Sequence, residues 1–155
     1  LEHAGIDIPE RPFSDEPNYV TPRGLKLLNQ NIDDLEKERE ALNDKKDDPM
    51  VRQKVAVIER DMRYFAARIE SAILTNHKEE NPSHVLFGTK VTAEDEEGDF
   101  LTFEIVGEDE ANIHEGRVSY LSPLAEALLG AAIGDEVVWE KPIGNSYLTI
   151  KKISY

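Results

Sequence analysis

The chain has no cysteine among its 155 residues. That absence excludes disulfides, thiolate catalysis and thiolate-held metals, and it is compatible with a reducing cytoplasm. Long apolar runs are missing too: none approaches the roughly 18 residues of a membrane-spanning helix. The opening LEHAGIDIPERPFSDEPN has neither a basic start nor an apolar centre, so it does not read as a secretory signal. A chain that opens on Leu1 is expected to lack its native start. Basic residues are few: 18 Lys and Arg face 32 Asp and Glu, a net charge of -14. Phosphate recognition needs a basic footprint, so free DNA and anionic membranes are poor partners. A basic protein surface or a positively lined channel suits this charge better. His3, His77, His84 and His114 are scattered without ligand spacing and point to no metal site.

What is present falls into three segments. Residues 1–20 carry Pro9, Pro12 and Pro17 among acidic and small residues, a density that blocks regular helix and predicts an extended arm. In YVTPRGLKLL, Thr21 and Pro22 mark a helix start: a hydroxyl cap, then proline at the first helical position. Leu25, Leu28, Ile32, Leu35 and Leu42 follow heptad spacing, with Arg39 at the skipped position. Val51, Val55, Ile58, Met62, Phe65, Ile69 and Ala72 repeat the pattern by fours and threes. Between them, Asp48 and Pro49 repeat the cap-plus-proline signal. So short a link forces the helices antiparallel, giving a coiled-coil hairpin over residues 21–76 with arms about 30–35 Å long.

Over residues 82–155 the pattern turns to short β-rich runs: HVLFG, TKVTAED, FLTFEIVG, RVSYLS, EVVWEK and SYLTIKKIS. Glu97-Gly98 and Gly144-Asn145 mark turns. One short helix interrupts in SPLAEALLGAAIGD, with Ser122 as its cap, Pro123 opening it and Gly130 placed to end it. The fold class is therefore α+β: an α-helical hairpin, then a small antiparallel β-sheet domain with one short helix.

The bend between the long helices reads NDKKDDPM and holds Asp44, Asp47 and Asp48. A solvated turn plus a helix cap explains such acids, Asp48 above all. Acids at the end of a rod can also act inside a partner's site. Lys45, Lys46, Arg52 and Lys54 crowd the same place, as charge balance on a solvated coil or as contacts to RNA or to acidic protein. Ser122 has no base in view, so capping is its reading. Tyr64 sits beside the seam as packing, and Trp139 belongs to the core or its edge.

Five stretches together resemble the bacterial Gre transcript-cleavage factors, of the GreA/GreB type, over residues 18–155: YVTPRGLKLL, IERDMRYFAARIESAIL (closer to GreB), VLFGTKVT, EIVGEDEAN and SYLSPLAEALLGAAIGDEV. The resemblance implies an FKBP-like C-terminal domain and a cytoplasmic factor that binds RNA polymerase through it. The hairpin would enter the polymerase's secondary channel, and the tip acids Asp44, Asp47 and Asp48 would act beside the nascent RNA 3′ end. It implies no enzyme in its own right, because the polymerase cuts its own backtracked transcript. It also implies no intrinsic cofactor; Mg2+ would be held at the tip, by Asp44 and Asp47, only within the polymerase complex. Ser122, Pro123, Leu124, Ala125 and Leu128 are the implied docking segment. A monomer is expected, with weak or no free DNA binding and no membrane.

Two departures from the family pattern bear on cleavage. The family's tip reads Gly-Asp, two variable residues, then Glu-Asn; here Asn43, Asp44, Lys45, Lys46, Asp47 and Asp48 keep only the spacing of Asp44 and Asp47. Both helices read about one heptad shorter than in GreB, which would draw the tip back by about 10 Å. Catalysis tolerates errors nearer 1 Å. A non-cleaving channel modulator is therefore one alternative, and a coiled-coil adaptor unrelated to polymerase is another. Prolyl isomerase activity, which the fold alone does not supply, is not expected.

Overall fold

The computed structural model describes residues 8–76 and 82–155. His3, His77 and the start of the proline-containing arm lie outside the described residues. In chain order the elements are β1 (Asn18–Val20), α1 (Pro22–Ala41), α2 (Pro49–Ser71), β2 (Ala72–Leu74), β3 (Lys90–Glu94), β4 (Phe100–Val106), β5 (Arg117–Ser119), α3 (Pro123–Leu128), β6 (Glu136–Lys141) and β7 (Gly144–Ser154). Single 3-10 turns stand at Asn43–Lys45, Glu108–Glu110 and Ile113–Glu115. The chain divides into two units: residues up to Asn18 with Leu25–Ile73, and Tyr19–Gly24 with Leu74–Tyr155.

In the first unit the heptad positions turn inward. Leu28 and Ile58 are buried, and Leu25, Ile32, Leu35, Val51, Val55, Met62, Phe65 and Ile69 are half-buried. Arg39, at the skipped position, reaches across the seam to Glu59 at 3.2 Å. With 20 residues in α1 and 23 in α2, the helices are about 30 and 35 Å long.

The arm packs on the hairpin. Asp61, Tyr64, Arg68 and Ser71 recur every three or four residues, a second stripe along α2 beside the seam. Arg11 lies 3.9 Å from the Tyr64 ring centroid and 5.3 Å from that of Phe65, and pairs with Asp61 at 3.4 Å. The Phe13 ring meets Tyr64 edge-on at 6.2 Å. Glu10 takes hydrogen bonds from Arg63 Nε and Nη2. Arg68 is only 1% exposed, and its charge is answered in place. Its Nη2 donates to Asn18 Oδ1 at 2.8 Å, and it lies over Phe13 at 5.7 Å. Asn18 Nδ2 in turn donates to the Arg68 carbonyl and to Ser71 Oγ. A buried guanidinium needs such partners, because an unanswered one would be far too costly.

The second unit carries a five-stranded sheet in the order β5-β4-β3-β7-β6. Neighbours among β4, β3, β7 and β6 pair antiparallel. The expectation of a wholly antiparallel sheet needs one correction: β5 runs parallel to β4, with Ile105 opposite Val118. The two 3-10 turns at 108–115 make this crossover, which a tight hairpin cannot supply. Alternation along β3, β4 and β7, with a register shift of β7 opposite Thr92 and Ala93, buries Val91, Ala93, Phe103, Ile105, Leu148, Ile150 and Ile153 on one face, where Leu124, Ala125 and Leu128 of α3 join them. HVLFG forms no strand; His84 makes a single bridge to Ala132, and Gly88 turns the chain at a φ of 86°. The last hairpin turns at Pro142 and Ile143, two residues before Gly144-Asn145, with Lys141 opposite Gly144.

Candidate functional site

At the bend, a 3-10 turn over Asn43–Lys45 carries Asp44, and Asp47 follows it before α2 begins. Both are exposed. Asp48 is engaged: with extended backbone (φ −80°, ψ 122°) its Oδ1 accepts from the Met50 amide at 2.9 Å. It caps α2, as the cap-plus-proline spacing predicts. Met50 beside it is 82% exposed, a bare apolar side chain at the same end of the hairpin. Among the described residues no three His, Asp or Glu side chains come together as a metal site. The tip therefore offers two free carboxylates, enough to share an ion held mainly by something else, since magnesium often takes only one or two protein ligands.

The implied docking segment divides sharply. Ser122 Oγ accepts from the Ala125 amide at 3.2 Å and caps α3. Leu124 is 4% exposed, and Ala125 and Leu128 are fully buried in the core. These three cannot present side chains to a partner; they hold α3 on the sheet. What faces outward is Pro123, Glu126 and Leu129. Helical spacing separates the two sets, and burial decides which set is which.

The sequence alone did not single out Glu110, although EIVGEDEAN contains it. Its side chain is 1% exposed. It accepts from Thr21 Oγ1 at 2.6 Å and from Arg23 Nε at 2.5 Å. Arg23 also donates to Glu104 at 2.5 Å. Burial disfavours the Arg23 charge, but its bonds to Glu110 and then Glu104 more than offset this, so its pKa lies above the ordinary arginine value. Thr21 Oγ1 accepts from the Gly24 amide at 3.0 Å while donating to Glu110. One hydroxyl thus caps α1 and ties its first turn to the 3-10 turn before β5. Gly24 is part of the same knot: a methyl there would stand 2.8 Å from Glu110 Oε1. Only an acid three residues beyond a glycine marked the position, and that is too common a pattern to read.

An open cavity of about 210 Å³ lies next to this knot, lined by Thr21, Arg23, Asn76, Gly88, Glu104 and Tyr155 among others. Its lining mixes polar and apolar surface and holds one aromatic ring, Tyr155, whereas a proline-binding site needs an aromatic-lined cleft.

A helical hairpin with an acidic end, joined to a small α+β unit, defines a two-part protein of hairpin and sheet domain. Residues 79–155 match the family model described as transcription elongation factor GreA/GreB, C-terminal. Transcription elongation factor GreA of Vibrio cholerae is 34% identical over 151 residues, covering 88% of this chain and 96% of that protein. Transcription elongation factor GreB of Haemophilus influenzae is 31% identical over 152 residues, covering 89% and 96%. Among solved structures, a GreA/GreB elongation factor from Nitrosomonas europaea is 22% identical, covers 89% of this chain and 99% of that one, and superposes with a TM-score of 0.45. The chain belongs to the GreA/GreB family of transcription elongation factors. GreA and GreB relatives match at similar identity, so the match places it with neither kind.

Proposed function

We propose that this chain binds RNA polymerase at its secondary channel, inserts the hairpin tip first and modulates elongation, with no turnover of its own. The observation that carries this reading is the pair of exposed acids, Asp44 and Asp47, at the end of a helical arm about 30 Å long in a chain of this family. Asp44 and Asp47 are the residues that would hold an Mg2+ shared with the polymerase, and such an ion polarises a water for attack on phosphorus. Asp48 contributes by fixing the start of α2 beneath them. Pro123, Glu126 and Leu129 form the outward part of the docking segment. The nascent RNA 3′ end is the second contact, and the factor acts as a cytoplasmic monomer.

Two observations favour modulation without cleavage. Only two of the three tip acids are free, because Asp48 is held as a cap. The tip also keeps only the spacing of Asp44 and Asp47 from the family's pattern. The test is a backtracked polymerase complex with labelled RNA and Mg2+, given wild type or the Asp44→Ala, Asp47→Ala double variant. Cleavage by wild type alone makes the tip acids functional and the length sufficient. Displacement of an authentic Gre factor by both proteins without cleavage supports modulation. Neither cleavage nor displacement refutes the polymerase reading and favours an adaptor.

A further inference from the structure

Resting on that reading, we infer that the N-terminal arm is a collar that sets how far the hairpin enters its channel. The arm joins the hairpin at Asn18 and runs along one stripe of α2. Its contacts pass from Arg68 and Ser71, through Tyr64 and Arg63, to Asp61. Asp61 is the tipmost arm contact among the described residues. No described arm residue makes a hydrogen bond, ion pair or ring contact with α2 between Pro49 and Glu59, a length of about 15 Å. From Asp61 back to Ser71 the hairpin is thicker by one extended chain, roughly 5 Å.

The docking is too specific for an incidental tail. Four helix positions of one stripe are matched by three kinds of arm side chain: a guanidinium stacked on an aromatic ring, a phenyl edge and an amide. Arg11 over Tyr64 and Arg68 over Phe13 interlock, each chain segment offering a cation to the other's ring. Pro9, Pro12 and Pro17 keep the strap extended, so little entropy is lost on laying it down. A strap that widens a probe partway along its length acts as a depth stop in any passage fitted to two helices. Freeing it would expose the stretch from Asp61 back to Arg68, another 10 Å or so of hairpin.

The chain's lack of cysteine makes the test direct. Lys46→Cys at the tip is tethered to an iron chelate, and hydroxyl-radical cuts in a stalled polymerase complex locate the tip. The comparison protein adds Arg11→Ala and Phe13→Ala. A second variant reverses the charges of Glu10 and Arg11, and a third restores pairing by also reversing Asp61 and Arg63. The collar predicts that cuts advance toward the catalytic centre by up to about 10 Å in both undocked variants and return in the restored one. Undocked variants that bind polymerase with unmoved cuts overturn the collar and leave the polymerase reading intact. Loss of helical circular dichroism in both undocked variants also overturns it, because the arm is then a strut. Absence of any polymerase cuts from the tethered wild-type arm overturns the collar together with the reading beneath it.

Discussion

Replacing Glu110 by alanine removes the carboxylate that Thr21 and Arg23 share. Thr21 is 7% exposed, so its hydroxyl loses a bond to a charged acceptor in a place water reaches poorly. Hydrogen bonds to charged groups contribute about 1.5–3 kcal/mol each. The Arg23 bond is discounted, because that side chain is 47% exposed and Glu104 still holds it; about 0.5–1 kcal/mol is appropriate there. The expected loss is about 2–4 kcal/mol in total. For a unit of this size, 1 kcal/mol moves the midpoint by about 4–8 °C, so the fall should be about 10–30 °C. Trp139 is the sole tryptophan and packs on Phe103 with ring centroids 5.8 Å apart. Its fluorescence therefore follows the second unit alone during a thermal melt. Gly24→Ala supplies the internal control. In wild type the added methyl meets Glu110 Oε1 and destabilises. In the Glu110→Ala background the obstruction is gone, and replacing a helical glycine should stabilise by about 0.5–1 kcal/mol. The sign reversal is the decisive result. A fall under about 3 °C for Glu110→Ala, less than one kcal/mol in a unit of this size, or additive effects in the double variant, would refute the reasoning.

Three further outcomes are expected. Asp48→Ala should cost about 1 kcal/mol by uncapping α2, read as earlier loss of helical signal on heating; an unchanged melt would mean that the cap bond to Met50 carries nothing. Gly107→Ala should destabilise by more than about 2 kcal/mol, because a methyl there would overlap the Tyr19 carbonyl oxygen, and wild-type stability in that variant would show that β1 shifts freely. The Glu10 carboxyl is held below the ordinary glutamate value of 4.5, first by the hydrogen bonds from Arg63. A depressed acid stabilises above its unfolded pKa and loses that contribution as pH falls through the folded one, so the arm contact should persist at neutral pH and loosen below about 4.5, and an NMR titration midpoint for Glu10 at or above that value would contradict the pairing.

Local signals made most of the framework legible. Thr21-Pro22, Asp48-Pro49 and Ser122-Pro123 are caps whose chemistry lies within four residues, and each caps as its spacing predicts. The heptads place the seam, because helical period and burial coincide in a two-helix pair. What stayed hidden depends on distant partners. The stripe Asp61, Tyr64, Arg68 and Ser71 is polar and aromatic, so it reads as a solvated face until the arm is seen against it. The parallel pairing of β5 follows from where a crossover lands, which no alternation in RVSYLS encodes. Glu110 looks like one more surface acid in an acidic chain, yet it is 4% exposed because two donors from the start of α1 meet it.

These hidden pieces share a logic. A hairpin of two helices buries one narrow seam, and apolar packing alone sets few directions. Asn18 locks the arm to the end of α2 through buried bonds to Arg68. Within the second unit, Thr21 locks the first turn of α1 to Glu110. Both anchors are polar and buried, and buried polar bonds have direction where apolar packing does not. The tip shows the opposite allocation: Asp44 and Asp47 are exposed, and among the three tip acids Asp48 is the one committed to a backbone amide. Under the proposed reading, exposed acids at the end of the hairpin would adjust to an ion or strand supplied by a partner, while the arm on α2 would limit how far they travel.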